Sequence, residues 1–462
     1  MIKKLVKIRS AIRIFLTRIK SRFSSYDLTN YPIFLLRKSQ INISNEIRIN
    51  YRYAVYLLKK NKEYKFSNLN QYFFRSKYIL KKLDNPITIT RNMNYTEVQD
   101  EIVDKKLLVI YVDGLSSYWN EEINLLQYLL PETYNYFSNS TVYENYYGTG
   151  EWTLPNYASM LTGALQNSHG NIHSAKQKNE LKNISNFPLI HEYLAREGYK
   201  TNIVSAVPYI NPNFNFHFGT ENFIFAKNNN SKKIIELYQY TEAELASSNI
   251  TWLHFMDVHH RLGETDYSDH KVSPEIVDLL MENFRFSKND AVNFVSRAHN
   301  LDGNLAQLFN LDSTKKYENI VLVSDHGSVR LSNAWEKCLD DARTKTTLIV
   351  KQKNQKNLRF IKEVLNHQSL IEIFCGVLNV KVPDLTEFQL KNFIVIQSIY
   401  AGKSYRARIK GLGIDFEYMG TNVRDSKPFI NMRDIDNILS NKNLKDLGFT
   451  EKSNFKKILL GI

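Results

Sequence analysis

The chain has 462 residues, which predicts one large domain with appendages or two to three domains. Hydrophobic residues make up 43% and charged residues 23%, a globular composition, and the two cysteines exclude a disulfide framework and fit a reducing compartment. The net charge of +14 suits nucleic acid, a membrane surface or anionic substrates. Because the basic residues are spread widely and form no nucleic-acid module, we favour the last two.

Residues 1–23 predict a basic amphipathic helix. The segment carries eight Lys and Arg residues and no acid, and its apolar residues recur every three or four positions. Arg13 and Arg18 interrupt any secretory core, and no apolar run reaches the length of a membrane span. We favour a helix that lies on an anionic membrane, slightly ahead of a helix packed on the catalytic domain.

Residues 24–104 form a region that carries no motif we can interpret. Helix-like patterns at 51–60 and 73–82 predict a helical N-terminal region that braces the next domain or mediates assembly.

Residues 105–384 alternate apolar strands with helices. This order predicts an α/β domain with a mixed, mostly parallel sheet and helices on both faces. Residues 385–462 predict a small C-terminal α+β subdomain. Its alternating segments predict three strands: 393–397, 405–409 and 416–418.

Two apolar strands of this domain end in potential metal ligands. The near-continuous runs at 107–112 and 319–323 are typical of strands buried on both faces, and Asp113 follows the first while Asp325 and His326 follow the second. Ligands gather at the carboxyl ends of parallel strands, so these side chains should share one rim. Taken singly, Asp113 or Asp325 could equally be a helix cap or a turn residue with no metal to bind. Together with a threonine hydroxyl they predict a site for a divalent metal.

Thr153 stands just before a predicted helix that begins near Pro155. Unpaired N–H groups and the helix dipole hold anionic groups at such a position, which suits a nucleophile. Taken alone, Thr153 is more often a helix cap. The two acidic strand ends shift the interpretation towards the nucleophile.

A third strand, predicted at 249–256, ends in Asp257, His259 and His260. Adjacent side chains of an extended chain point to opposite sides, so at most one of the two histidines should face the site. The segment 328–344 predicts an active-site loop, in which Arg330 and Lys337 are candidates to neutralise a phosphate, although solvated charges are commoner.

Segment 153–163 resembles the nucleophile segment of the alkaline phosphatase/sulfatase superfamily. Segments 112–114 and 323–327 are similar to its first and last metal motifs, and 255–259 resembles its middle histidine motif. The likeness covers roughly residues 105 to 385, in the family order. It implies the alkaline phosphatase-like fold.

The resemblance also shows where this chain departs from sulfatases. A sulfatase has Cys or Ser at Thr153 and Arg at Tyr157, because its nucleophile is oxidised to an aldehyde hydrate. Both departures argue against sulfate-ester hydrolysis. Threonine at this position resembles phosphodiesterases, phosphoethanolamine transferases and phosphoglycerol transferases, which form a phosphothreonine.

The resemblance implies roles for individual residues. Thr153 would attack phosphorus, Asn156 would contact the phosphoryl oxygens, and His259 would bind substrate or protonate the departing oxygen. Four residues would hold Zn²⁺ or Mn²⁺: Asp113, Thr153, Asp325 and His326.

A second metal ion is an open alternative. In a phosphodiesterase-like alignment Asp257 and His260 would hold it, but the spacing is one residue short. His367 is the late candidate for its third ligand, although we prefer to interpret it as a histidine at a helix start.

These expectations favour a cytoplasmic enzyme, peripheral on the inner face of a bacterial inner membrane. It would move phosphoethanolamine, phosphoglycerol or a similar group from a lipid or nucleotide-linked donor to a surface polysaccharide such as a capsule, or its precursor. The alternatives are a phosphodiesterase or phosphatase that uses water as acceptor, and a non-catalytic assembly protein on the same fold.

Overall fold

The computed structural model describes residues 33–36, 54–57, 105–170, 187–210, 216–217, 219–225, 230–244, 248–259, 272–328, 339–383, 394–400, 404–411, 414–420, 423–424 and 427–428. The predicted basic helix at 1–23 lies outside these residues.

A ten-stranded sheet forms the centre of the protein. Its strands are β1 (Ile33–Leu36), β2 (Ala54–Leu57), β3 (Leu107–Val112), β4 (Thr141–Tyr147), β5 (Thr201–Ser205), β6 (Asn222–Phe225), β7 (Ile250–Phe255), β8 (Asn319–Val323), β9 (Leu348–Gln352) and β10 (Arg359–Asn366). They lie in the order β10-β4-β9-β8-β3-β7-β5-β6-β1-β2.

Most neighbouring strands of this sheet run parallel. The central pairs β8–β3, β3–β7, β7–β5 and β5–β6 are parallel, as is β10–β4. Strand β9 is antiparallel to both β4 and β8, and β1 is antiparallel to β6 and β2. The predicted mixed, mostly parallel sheet is confirmed.

Helices cover both faces of the sheet. They are α1 (Leu126–Leu129), α2 (Pro131–Tyr136), α3 (Thr153–Thr162), α4 (Gln166–His169), α5 (Ile190–Arg196), α6 (Ser231–Glu244), α7 (Pro274–Phe284), α8 (Lys288–Asn310), α9 (Asp312–Lys315), α10 (Asp341–Thr344) and α11 (Leu370–Leu378), with a 3-10 helix at His367–Ser369.

Strand β3 shows why both faces are covered, because all six of its side chains are buried. Leu108 and Ile110 pack into a core with Leu301 of α8, whereas Val109 packs on the other face with Leu161 of α3. A strand with apolar side chains on both faces is stable only between two layers. The sequence pattern of 107–112 therefore predicts its central place correctly.

The N-terminal region contributes strands to this sheet. Residues 54–57 form β2, so the helix predicted over 51–60 is wrong there. β1 pairs with β6 and β2 pairs with β1. A short apolar run is ambiguous between helix and strand, and hydrogen bonding at the sheet edge decides it.

A separate antiparallel sheet follows the core, and it consists of β11 (Ile394–Tyr400), β12 (Ser404–Gly411) and β13 (Ile414–Gly420). The three strands predicted in this part of the chain are confirmed. The short strands β14 (Val423–Arg424) and β15 (Lys427–Pro428) form a two-stranded pair.

The three-stranded sheet lies against the loop 148–152, which precedes Thr153. The Gln397 N–H donates to the Thr149 carbonyl at 2.8 Å, and the Ser398 hydroxyl donates to a Glu151 carboxylate oxygen at 2.7 Å.

Within the described part of the chain, the helices are all too short or too polar to cross a membrane.

One buried histidine of this fold predicts a loss of stability in acid. His191 on α5 packs its ring at 90° against Trp252, and neither ring nitrogen has a hydrogen-bond partner among the described residues. Burial lowers the pKa of His191 from 6.5 to about 3. The unfolded chain therefore takes up a proton that the folded protein does not, and stability present above pH 6.5 is lost as the pH falls towards 3.

We expect His191→Phe to remove this contribution while it keeps the aromatic contact. Each such group contributes a slope of up to about 1.4 kcal/mol per pH unit, and half of that at pH 6.5, so the variant should lose about 1.6 kcal/mol less than the wild type between pH 6.5 and 5. Urea unfolding at a series of pH values measures this difference. His299→Gln on α8 serves as the control. If the free energy of unfolding of His191→Phe and of the wild type changed in parallel with pH, the expectation would be refuted.

Candidate active site

Asp113 follows β3 at the carboxyl edge of the sheet. Its N–H donates to the Phe255 carbonyl of β7 at 2.9 Å, which extends the pairing of these strands by one residue. Gly114 then turns the chain with a φ of 79°, a conformation that glycine adopts without strain. The turn aims the Gly114 N–H at Oδ1 of Asp325, 3.1 Å away.

Asp325 stands at the end of the neighbouring strand β8 and is fully buried. Its Oδ1 accepts hydrogen bonds from the N–H groups of Gly114 and His326, the latter at 2.9 Å. These contacts fix the carboxylate plane. Its Oδ2 has no hydrogen-bond partner among the described residues.

The hydrogen bond of His326 determines its tautomer. Nδ1 lies 2.9 Å from the Gly327 carbonyl oxygen, which can only accept, so Nδ1 carries the proton. Burial lowers the pKa of His326 well below its usual value, and the ring is neutral. Nε2 therefore presents a lone pair. It lies 3.5 Å from Asp113 Oδ1 and 3.3 Å from Asp325 Oδ2.

Asp113, Asp325 and His326, here called the acid–histidine cluster, thus bring an imidazole lone pair together with oxygens of two carboxyl groups. Asp113 Oδ1 also has no hydrogen-bond partner in the described part of the chain. Burial and the nearby Asp325 raise the pKa of Asp113 well above its usual value, because two buried carboxylates repel each other. Only a cation makes this arrangement favourable with both carboxylates ionised.

The spacing of these atoms fits a divalent metal ion. Oxygen and nitrogen ligands at about 2.0 Å from a tetrahedral ion lie about 3.3 Å from one another. The distances within the acid–histidine cluster are 3.3 and 3.5 Å. Asp113 and His326 also form a group with His259, in which all the ligand atoms lie within 4.8 Å of one another.

Thr153 is placed beside this cluster at the start of α3. The N-cap residue of this helix is Trp152, so Thr153 is the first helical residue and its side chain does not cap the helix. Its Oγ1 lies 3.3 Å from Asp113 Oδ2 and 3.4 Å from His326 Nε2. Because Nε2 and the carboxylate both accept, the hydroxyl proton points to one of them. The structure brings together all four residues of the predicted first metal site.

His259 is the accessible member of the site. Its Nε2 lies 3.5 Å from Asp113 Oδ1, and 23% of its side chain is exposed, against 1% for Asp113 and His326. Of the two adjacent histidines, His259 therefore faces the cluster, whereas His260 lies outside the described residues. Its position suits a ligand to the metal or a contact with substrate.

Two further predicted site residues make other contacts. Asn156 Oδ1 accepts from the Gly150 N–H at 2.7 Å, and its Nδ2 donates to the Gly150 carbonyl at 3.0 Å. Asn156 thus holds the loop 148–152, and its contact with phosphoryl oxygens stays a prediction. Asp257 Oδ1 accepts from both the N–H and the hydroxyl of Ser231, at 3.3 and 2.8 Å. A second metal held by Asp257 and His260 stays a prediction.

The predicted phosphate-binding residues Arg330 and Lys337 lie outside the described residues. A different cation of the same segment, Arg343 on α10, contacts both loops of the site. Its Nε and Nη1 donate at 2.7 Å to the carbonyl oxygens of Glu151 and Gly327. Sequence reasoning missed Arg343 because its partners are backbone atoms, which leave no pattern in the sequence.

His367 is a histidine at a helix start, as we preferred, and begins the 3-10 helix. Its Nε2 lies 2.7 Å from the Asp325 carbonyl oxygen and its Nδ1 lies 2.8 Å from the Tyr146 hydroxyl. The carbonyl can only accept, so Nε2 donates and Nδ1 accepts from Tyr146. His367 therefore supports the backbone of a candidate metal ligand.

No protein-family model and no curated protein sequence matches this chain. Among solved structures, the chain is similar to a 2-O GAG sulfatase, with a TM-score of 0.50, 12% sequence identity, and coverage of 76% of this chain and 93% of that one. It is also similar to the phosphonate monoester hydrolase SpPMH from Silicibacter pomeroyi, with a TM-score of 0.49, 12% identity, and coverage of 77% and 96%. A third is the lipoteichoic acid synthase LtaP from Listeria monocytogenes, with a TM-score of 0.47, 13% identity, and coverage of 76% and 93%.

At these identities, the likeness to the sulfatase shows the fold alone. The chain has an alkaline phosphatase/sulfatase-like fold, as the resemblance of its motifs predicted.

The position of Asp325 in the acid–histidine cluster predicts that it is a ligand of the candidate metal site. We expect Asp325→Asn to lower the affinity for Zn²⁺ and Mn²⁺ by at least about 100-fold, because a neutral amide replaces one of the two buried carboxylates of the acid–histidine cluster. The amide oxygen can still accept the two N–H groups, so the fold should persist. Calorimetric titration with each ion measures the affinity.

Asp312→Asn on α9 is the matched control, since 95% of that side chain is exposed. Wild-type affinity in Asp325→Asn would remove Asp325 from the metal site.

Proposed function

We propose that the protein is a metal-dependent phosphotransferase that moves a substituted phosphoryl group through a covalent intermediate on Thr153. The observation that carries the proposal is the position of the Thr153 hydroxyl. It lies at the first residue of α3, within 3.4 Å of both Asp113 and His326, and Thr153 is 3% exposed. This position puts the hydroxyl against two candidate metal ligands, where a nucleophile activated by a bound ion has to lie.

The start of α3 suits the charge of a phosphoryl group. The helix has ten residues and no side-chain cap at its start, so the positive end of its dipole lies beside Thr153. Charge develops on the non-bridging oxygens of a phosphoryl group during transfer, and preorganised donors stabilise it. In this proposal Asn156 supports those donors through the loop 148–152.

Asp113, Asp325, His326 and Thr153 would hold the divalent ion. When bound, such an ion lowers the pKa of a hydroxyl beside it and neutralises negative charge on a phosphoryl group. The hydrogen bond to Asp113 Oδ2, 3.3 Å away, orients the Thr153 hydroxyl and offers its proton an acceptor.

The reaction proceeds in two balanced steps. Thr153 Oγ1 gives its proton to Asp113 and forms a bond to phosphorus while the bond from phosphorus to the leaving oxygen of the donor breaks, and His259 gives that oxygen a proton. The hydroxyl of the acceptor then attacks phosphorus and gives its proton to His259, while the bond to Thr153 breaks and Thr153 Oγ1 takes its proton back from Asp113. The exposure of His259 suits a place on the side from which substrate enters.

The group transferred in this proposal is phosphoethanolamine, phosphoglycerol or a similar substituent. The donor is lipid-linked or nucleotide-linked, and the acceptor is a bacterial surface glycan or its precursor. The net charge of +14 favours anionic donors and an anionic membrane surface at residues 1–23.

The covalent intermediate predicts a mass change in the protein. We expect wild-type protein, incubated with metal and a donor but no acceptor, to gain the mass of the transferred group on Thr153. Suitable donors are phosphatidylethanolamine, phosphatidylglycerol and their CDP-linked counterparts. Thr153→Ala should gain nothing and should lose at least about 1,000-fold in turnover, whereas Thr153→Ser keeps a hydroxyl and should form the adduct. Intact-mass spectrometry measures all three.

The same experiment separates the competing functions. Full turnover with water as the sole acceptor would identify a hydrolase. Turnover that persists in Thr153→Ala would show direct attack by water or acceptor, and wild-type protein that retains no divalent metal would favour a non-catalytic assembly protein.

A further inference from the structure

Arg343 connects the two loops that carry the site. Its Nε donates to the carbonyl of Glu151, two residues before Thr153, and its Nη1 donates to the carbonyl of Gly327, the residue after His326, each at 2.7 Å. One planar guanidinium therefore sets the distance between the loop 148–152 and the end of β8. Its rigid fork allows little change in that distance.

The contact with Gly327 reaches a ligand of the proposed metal directly. The Gly327 carbonyl that accepts from Arg343 also accepts the Nδ1 proton of His326, and so fixes the direction of the His326 ring. The Gly327 N–H in turn donates to the Arg343 carbonyl at 2.7 Å. No side chain fits at Gly327, since a Cβ would lie 2.2 Å from the Ala342 carbonyl oxygen. Gly327 therefore packs closely against α10, and it both accepts a hydrogen bond from the Arg343 side chain and donates one to the Arg343 backbone.

The C-terminal sheet fixes α10, which carries Arg343. Asp341 accepts hydrogen bonds from Arg408 at 2.6 Å and from Lys410 at 2.8 Å, both on β12. Asp340 caps the helix by accepting from the Ala342 N–H at 3.1 Å and forms an ion pair with Arg285 at 3.0 Å. This short helix therefore links the site to the C-terminal sheet, in addition to the direct contacts of Gln397 and Ser398 with the loop 148–152.

We infer that Arg343 is a positioning residue that holds Thr153 in line with His326 by joining the backbones of their two loops. The inference rests on the proposed function, in which Thr153 must attack beside the metal. A displacement of about 1 Å at a reacting atom is enough to cost about 100-fold in rate. Lysine offers one point of charge in place of the fork, so it should not replace Arg343.

The test compares Arg343→Lys, Arg343→Gln and Arg343→Ala with wild type in steady-state kinetics with the donor that forms the Thr153 adduct. We expect kcat to fall about 10- to 100-fold in all three variants, while KM changes less than about 3-fold. Added guanidinium chloride at millimolar concentration should restore part of the kcat of Arg343→Ala and should not affect Arg343→Lys. Arg196→Ala, at an exposed position on α5, is the control and should match wild type.

A second readout does not depend on turnover. Co²⁺ bound to the protein absorbs visible light according to the geometry of its ligands, so Arg343→Ala should shift this spectrum if Arg343 orients His326. If Arg343→Ala shifts the spectrum but the wild-type protein turns over no donor, Arg343 still orients His326, and the proposed phosphotransferase function is wrong. Wild-type kcat with an unshifted spectrum in Arg343→Ala would overturn the inference, as would a loss of kcat that only follows the fraction of unfolded protein.

Discussion

Two buried carboxylates at the end of neighbouring strands impose the main constraint on this structure. Asp113 and Asp325 each have one carboxylate oxygen that lacks a hydrogen-bond partner among the described residues. Both of these oxygens lie close to Nε2 of His326, which presents a lone pair. Negative charge in such a place is unfavourable unless a cation balances it. Buried ionisable groups with strongly shifted pKa values cluster at functional sites, so this arrangement is typical of a site that carries chemistry.

Much of the surrounding structure serves to keep these groups in place through backbone atoms. His367 donates to the carbonyl of Asp325, the Ser324 hydroxyl donates to the carbonyl of His326, and Arg343 donates to the carbonyl of Gly327. Three consecutive carbonyl groups are therefore fixed by three side chains. A loop held in this way presents the His326 ring in one tautomer and one direction, which is the precision that a metal or a transferred group requires.

The C-terminal sheet belongs to the same arrangement. Ser398 and Gln397 hold the loop before Thr153, and Arg408 and Lys410 hold Asp341 on α10. Both loops of the site thus depend on residues that follow the α/β core in the chain. A small sheet beside a large core contributes little hydrophobic stability, but here it restricts the motion of the loops that carry the candidate nucleophile and ligands.

Residue types and their order along the chain set the layout of the core and the edge at which the site forms. Apolar runs such as 107–112 are local signals, and a strand buried on both faces must be central, so the pattern alone assigns Asp113 and Asp325 to one rim. The likeness of segment 153–163 to a nucleophile segment predicts that Thr153 lies beside these two carboxylates. The helix expected at 51–60 is wrong because residues 54–57 pair with β1 at the edge of the sheet, and β1 itself pairs with β6, which is far away in the sequence.

The way in which the site is held follows from contacts between distant segments, which no local pattern encodes. These contacts set the tautomer of His326, leave an oxygen of Asp113 and one of Asp325 without hydrogen-bond partners in the described part of the chain, and bring His259 to Asp113. Arg343 is the clearest case, because it binds backbone carbonyls that every sequence possesses. The residue types determine which chemical groups are present. The direction of a lone pair or a guanidinium depends on which parts of the chain the fold brings together.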